Sequence, residues 1–309
     1  MDSIQIGKIK IYWLRGGYTH FDGGAMFGVV PKPLWEKKYP VNDKNQLANV
    51  TDPMFFQYLG KNYLIDSGLG NRRLTEKQKR NYGVTEESFV LEDLAQLSIA
   101  PEDIDYVLMT HLHFDHVLGL TGISEEGNDY SIFPNAEIWT SETEWEEMQH
   151  PNIRSKATYW QENWLRIEGQ IHTFTKEKEF NDAIKMTHTG GHSNGHSVIW
   201  LESDGEKAIH MADIFPTFAH QNVLWVTAYD DYPMTSISAK QAIFKQTFGA
   251  NYWFLSYHDS RFRAVQIAEN GDVKAEIKNR TSELGSEKSL LFLRVFLFCG
   301  IIIFINALK

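Results

Sequence analysis

The chain has a single cysteine, Cys299, in 309 residues, so no internal disulfide can form. This fits a reducing compartment and a cytoplasmic location, and it leaves histidine and carboxylate as the only strong metal ligands available to the body of the chain. Proline is sparse, with nine residues, and no Pro-rich, Ser-rich or single-charge stretch marks a linker before about residue 278. Basic residues are outnumbered, 30 Lys and Arg against 40 Asp and Glu, for a net charge of −10. That balance, without a basic stripe, argues against a nucleic-acid partner. The start, "MDSIQIGKIKIYW", lacks the charged-then-apolar layout of a secretory signal.

One long apolar run is present. "SLLFLRVFLFCGIIIFINALK" (289–309) approaches the ~20 residues that span a bilayer, interrupted by Arg294. It reads as a tail anchor, a docking helix or a tail foreign to the domain. The division expected is a catalytic domain over 1–278 and a polar spacer with apolar tail over 279–309. Any membrane tether would come through that tail.

Strand-like and helix-like runs alternate along the body. "IQIGKIKIYWL" alternates, and "FFQYLGKNYLIDSG" reads as a hairpin turning at Gly60. "TEKQKRNYGVTEESFVLEDLAQL" has a mostly helical pattern. "IDYVLMT" and "AEIWTS" read as strands, and "SETEWEEMQH" as a helix capped by Ser141 or Thr143. "AIKMTHTGG" and "HSVIWLES" read as strands, with a further strand after an Asp204-Gly205 turn. "TSISAKQAIFKQTFG" predicts a helix capped by Thr235 or Ser236 that stops at Gly249, and "NYWFLSYHD" and an Asn270-Gly271 hairpin close the domain. This order fits layered α/β packing.

The densest chemistry lies in "THLHFDHVLG" (110–119). His111 and His113 are two apart and share a side in an extended stretch, while Asp115 and His116 follow in a turn. Imidazole and carboxylate suit zinc, iron, cobalt or manganese. One loop could fill one structural site. However, further candidates recur in "THTGGHSNGHS" (187–197), "HMADIF" (210–215) and "SYHDSR" (256–261).

"HLHFDH" resembles the HxHxDH signature of the metallo-β-lactamase superfamily, and "TGGHSNGH", "MAD" and "YHD" stand in the order of its later ligand motifs. "LIDSGLG" (64–70) resembles the strand and turn that precede its metal loop. The resemblance spans roughly residues 3–278. It implies a four-layer αββα sandwich, within the mixed α/β (α+β) class, with two divalent ions at one edge, zinc expected first. Carried over, His111, His113 and His192 hold one ion, Asp115, His116 and His258 the other, and Asp213 bridges them. Asp66 orients a ligand histidine and His196 stands behind the ligands. His20, His150, His172, His188 and His210 read as ordinary strand or surface histidines, and His220 is open.

The reaction implied is hydrolysis of an ester-like bond by a hydroxide shared between the ions, with Asp115 or Asp213 passing the proton to the leaving alkoxide. Superfamily branches that use a cysteine at the second metal, single-iron sulfur dioxygenases, glyoxalase-type thioesterases and basic RNA-processing enzymes fit poorly. "FDGGAMFGVVPKPLW" (21–35) and "ADIFPTFAHQNVLWVTAYDDYP" (212–233) resemble quorum-quenching N-acyl-homoserine lactonases of the YtnP type. The expected substrate is therefore a small acyl lactone, its chain in an apolar groove lined by Met26, Phe27, Phe215, Phe218, Trp225 and Tyr229. One position departs from the better-known lactonases, where a tyrosine follows the bridging aspartate by three residues. Here it is Pro216, and Tyr229 is the alternative hydrogen-bond donor. The proline also fits the methyl-parathion-hydrolase-like triesterases and arylesterases. The apolar 25–35 segment would bury itself in a homodimer or in its own core.

Overall fold

The structure is a computed structural model and describes residues 1–279. The tail at 289–309 and its anchor reading lie outside the described residues. Among the described residues, no helix is long and apolar enough to cross a membrane.

Two seven-stranded sheets dominate. The first is ordered Ser3–Ile6, Ile9–Trp13, Met54–Tyr58, Lys61–Ile65, Tyr106–Leu108, Glu137–Ser141, Ile171–Phe174. The second is ordered Glu177–Glu179, Ile184–His188, Ser197–Ser203, Glu206–His210, Tyr252–Leu255, Phe262–Ile267, Val273–Lys278. Side-chain alternation explains why they stack. Ile9, Ile11 and Trp13 face Met186, Ile199, Leu201 and Leu255 in one core between the sheets. The opposite face of the first sheet, with Phe55, Leu64, Val107 and Ile138, packs on Leu94 and Met148 of helices Val90–Gln96 and Glu142–Gln149. The opposite face of the second, with Val198, Ile209, Phe254 and Val265, packs on Ile243 and Phe244 of helix Pro233–Thr247. The result is helix, sheet, sheet, helix, as expected.

Local differences from the sequence reading have simple causes. The first alternating run is a hairpin, because Gly7 takes φ +54° between Ser3–Ile6 and Ile9–Trp13. The long helical pattern after Thr75 divides into Glu76–Asn81 and Val90–Gln96, broken at Gly83 with φ +59°. Ser141, not Thr143, caps the helix at 142, accepting from the Glu144 N–H. The last helix begins at Pro233, two residues before the expected caps, since proline suits the first turn. The 25–35 segment folds onto its own core, with Met26, Phe27 and Trp35 buried.

The topology sets up one edge. Lys61–Ile65, Tyr106–Leu108 and Glu137–Ser141 run parallel, as do Glu206–His210 and Tyr252–Leu255. Parallel neighbours end together, so the segments leaving them at Asp66, His111, Asp213 and His258 emerge side by side. The loop after Ile184–His188 joins them by close backbone contact. A Cβ on Gly195 would sit 2.0 Å from the Glu144 backbone nitrogen and 2.3 Å from its Cα. Neither atom can move without shifting the helix. Gly195→Ala should therefore destabilise by at least ~2 kcal/mol, read as a lower urea midpoint; an unchanged midpoint would show that this contact is loose.

Candidate metal centre

Seven side chains from four segments meet at that edge. His111, His113 and His192 form one group, Asp115, His116 and His258 a second, and His111, His116 and Asp213 a third that overlaps both; within each, the donor atoms lie within 4.8 Å of one another. All seven residues are buried. Asp213 stands between the groups. Its Oδ2 lies 3.3 Å from His192 Nε2 and 4.0 Å from His111 Nε2. Its Oδ1 lies 3.3 Å from Nε2 of both His116 and His258. Asp115 Oδ2 is 3.6 Å from His258 Nε2.

The outward nitrogens decide what the inward ones can do. His116 Nδ1 donates to Asp66 Oδ2 at 2.9 Å, His192 Nδ1 to Asp230 Oδ1 at 3.0 Å, and His258 Nδ1 to the Val50 carbonyl at 2.8 Å. The Thr110 hydroxyl donates to Asp66 at 2.8 Å and so accepts from His111 Nδ1 at 3.1 Å. Each neutral ring then carries its proton outside and turns a lone pair inward. The inward nitrogens crowd together: His116 Nε2 and His258 Nε2 are 3.2 Å apart, and His113 Nδ1 and His192 Nε2 3.0 Å. His111 Nε2 and Asp213 Oδ1 are buried without any hydrogen-bond partner. Converging buried acceptors are costly unless positive charge sits among them, a metal ion or, in its absence, a proton on one of the imidazoles. The residues fit divalent ions.

Electrostatics agree. Burial, together with the neighbouring His116 and His113 imidazoles, drives His111 well below the ordinary histidine value, so it is neutral, as a ligand must be. Burial opposes a charge on His116, yet the Asp213 and Asp66 carboxylates outweigh it and hold that imidazole well above the ordinary value. Burial would raise Asp66, but the His116 and His210 imidazoles bring it down to about 2. The cluster is built around positive charge. Two residues also hold strained backbone here, Asp66 at φ +54° and Ala212 at φ +44°.

The other expected residues fall in two sets. His196 belongs to neither ligand group; burial and the nearby His192 lower it to about 3, and its Nδ1 meets the Thr189 hydroxyl at 2.9 Å. Met26 and Tyr229 line a cavity of about 350 Å³ that opens onto His113, Asp115, His192, Asp213 and His258. Phe27, Phe215, Phe218 and Trp225, expected along the groove, do not line it. Phe27 stacks on Trp35 and His220 with Trp225 against its edge, while Phe215 and Phe218 pack under helix Pro233–Thr247. They are aromatic core, placed there by the strand and helix that flank them. His210 is a buried strand histidine that donates to the Leu255 carbonyl. His220, left open, is buried beneath Met26 and away from the ligand groups.

Several contributors escape a sequence reading. Phe21, Tyr82, Phe114 and Arg154 complete the cavity wall. Asp230 holds His192 from within "AYDDYP", where the resemblance to the lactonases gives this aspartate no role. Glu144 accepts from the Leu112 N–H at 2.7 Å, the Ser193 hydroxyl at 2.5 Å and the Tyr159 hydroxyl at 2.8 Å, clamping both ligand loops to one helix.

The profile of the metallo-β-lactamase superfamily matches residues 51–246. The chain belongs to the metallo-β-lactamase superfamily. Its histidine and aspartate clusters fit the divalent-metal site of that superfamily. It is similar to an N-acyl homoserine lactonase of a Bacillus species, 29% identical over 122 residues, 39% of this chain and 42% of the relative. The chain thus aligns with less than half the length of that curated relative. It is also similar to the solved structure of a probable metal-dependent hydrolase from Staphylococcus aureus, at 50% identity and TM-score 0.85, over 89% of this chain and 98% of that one. The dizinc quorum-quenching lactonase AidC shares the fold at 16% identity and TM-score 0.71, over 90% of this chain and 96% of that one.

Burial lifts the Glu144 carboxyl from 4.5 to about 7, against the pull of its Ser193, Leu112 and Tyr159 donors. The folded protein then binds a proton that the unfolded chain releases above about 4.5, so the stability it contributes fades as pH rises through about 7. Glu144→Gln lacks this slope. Its stability relative to the parent, measured by denaturant unfolding of metal-stripped protein, should rise by a few kcal/mol between about pH 5 and 7.5. Parallel curves would contradict the assignment.

Proposed function

We propose that this protein is a hydrolase that opens the lactone ring of N-acyl-homoserine lactones. The observation that carries the reading is the cavity: apolar Phe21, Met26, Tyr82, Phe114 and Pro216 line it together with the ligand-cluster residues His113, Asp115, His192, Asp213 and His258. An ester carbonyl at the ligand cluster and an acyl chain along the apolar residues match these two chemistries. The lactonases named among the similar proteins support the substrate class.

His111, His113 and His192 would hold one ion, Asp115, His116 and His258 a second, with Asp213 shared. When bound, such ions supply Lewis acidity and bring the pKa of water toward ~7. The chain's own groups do the rest. Asp213 presents one carboxylate oxygen to each ligand group, which fixes the two groups relative to each other. Asp115, which lines the cavity, is placed to take the proton from the attacking water and return it to the leaving alkoxide. Tyr229 is 43% exposed, but partial desolvation at the cavity, with the Asp22 and Asp115 carboxylates, holds its phenol above the ordinary value, so it stays a neutral donor at the cavity. It fills the role left open by Pro216. The aromatic lining, with Phe114 buried and Phe21 and Tyr82 half-buried, leaves an acyl chain few polar neighbours.

A second reading, triesterase or arylesterase action, is favoured by Pro216 itself, which lines the cavity and offers no donor. A panel of lactones, aryl esters and phosphotriesters on metal-loaded protein separates the two. Ring opening of acyl-homoserine lactones should have the highest kcat/KM. His111→Ala and Asp213→Asn should each lower it by roughly 10³-fold or more. Tyr229→Phe should cost about tenfold, the worth of one hydrogen bond. Phosphotriester turnover without lactone turnover would favour the second reading, and an unaffected Tyr229→Phe would remove the phenol from the mechanism.

A further inference from the structure

The segment Thr227–Tyr232 crosses from the cavity to the start of helix Pro233–Thr247, and two adjacent carboxylates on it point opposite ways. Asp230 turns inward. Buried, it accepts from His192 Nδ1 at 3.0 Å and from the Thr227 hydroxyl at 2.8 Å through the same oxygen, Oδ1. Asp231 turns toward the opposite cavity wall. It accepts from Arg154 Nε at 2.7 Å, from Asn152 Nδ2 at 2.8 Å and from the Ser155 hydroxyl. The backbone follows the same path: the Asp231 and Tyr232 N–H groups donate to the His192 and Gly191 carbonyls, each at 2.9 Å. Arg154 returns to the segment by donating to the Ala228 and Asp230 carbonyls.

Between these anchors, Ala228 and Tyr229 face the cavity. One short stretch therefore touches a ligand imidazole, forms part of the substrate wall and grips the loop carrying Arg154, Ser155 and Thr158 on the other side. Asp230 is its innermost link. Without that carboxylate, the His192 ring loses both the acceptor that selects its tautomer and the contact that sets its rotation. The segment would also lose the side-chain hydrogen bond that ties it to His192.

We propose that Asp230 is a positioning residue that holds His192 ready for its ion and couples retention of that ion to the order of the cavity wall carrying Tyr229. The proposal rests on His192 being a ligand and is independent of which ester is the substrate. Coupling of this kind is reciprocal: an ion that orders His192 orders the segment, and an ordered segment tightens the ion.

The test uses the full chain loaded with zinc and challenged by a chromophoric chelator, with no substrate present. Asp230→Ala should release one equivalent per chain 10- to 100-fold more readily than the parent while keeping the other. Asp230→Asn, whose amide oxygen can still accept from Nδ1–H, should fall between. Hydrogen exchange gives the second readout. Stripping zinc from the parent should speed exchange of the 227–232 amides, and in Asp230→Ala those amides should already exchange fast and respond little to zinc. Zinc retention by Asp230→Ala equal to the parent would overturn the proposal. So would 227–232 amides in the parent that ignore zinc removal. Loss of both equivalents together with the near-ultraviolet dichroism would also overturn it, since that marks general unfolding. Failure of the lactone assay leaves all three outcomes readable.

Discussion

The constraint on which the site depends is the protonation of four imidazoles. Thr110, Asp66, Asp230 and the Val50 carbonyl each take the outer nitrogen of a histidine, which leaves the inner nitrogens of His111, His116, His192 and His258 as lone pairs. These converge with the Asp213 carboxylate at the buried end of the cavity. Such an arrangement stores repulsion in the folded chain, and only positive charge relieves it. The fold must be stable enough elsewhere to hold the groups together in advance, and the three apolar layers on either side of and between the sheets provide that margin.

The architecture delivers the groups to one place by strand polarity. Parallel neighbours in each sheet end at the same edge, so residues far apart in the chain leave their strands within a few ångströms. The strained backbone at Asp66 and Ala212 lies at these exits. Glu144 then ties the 111–116 and 191–197 loops to a single helix. A ligand loop that depends on a buried carboxyl and a backbone contact at Gly195 has little freedom to drift when the ion departs.

Much of this was legible in the sequence. The HxHxDH spacing and the later histidine and aspartate motifs carry their chemistry in residue type, and the structure brings all seven residues together. Alternating strands read well because one face of each is buried. Glycine breaks were harder: Gly7 and Gly83 each split a run whose hydrophobic period continues across the turn. The cavity wall was least legible. Phe27, Phe215, Phe218 and Trp225 share composition with Met26 and Tyr229, and only packing separates the core from the groove. Asp230 and Asp231 were invisible for a related reason. Nothing in an adjacent acidic pair says that one faces a ligand histidine and the other an arginine across the cavity.

The central claim is that two ions sit on either side of Asp213, held in advance by residues whose outer hydrogen bonds leave no other use for their inner atoms. Anomalous diffraction from crystals of the zinc-loaded protein, collected at the metal edge, tests it most directly. Two peaks are predicted, one among His111, His113 and His192 and one among Asp115, His116 and His258, with the Asp213 carboxylate between them. A single peak, or a carboxylate turned away from both groups, would contradict the account.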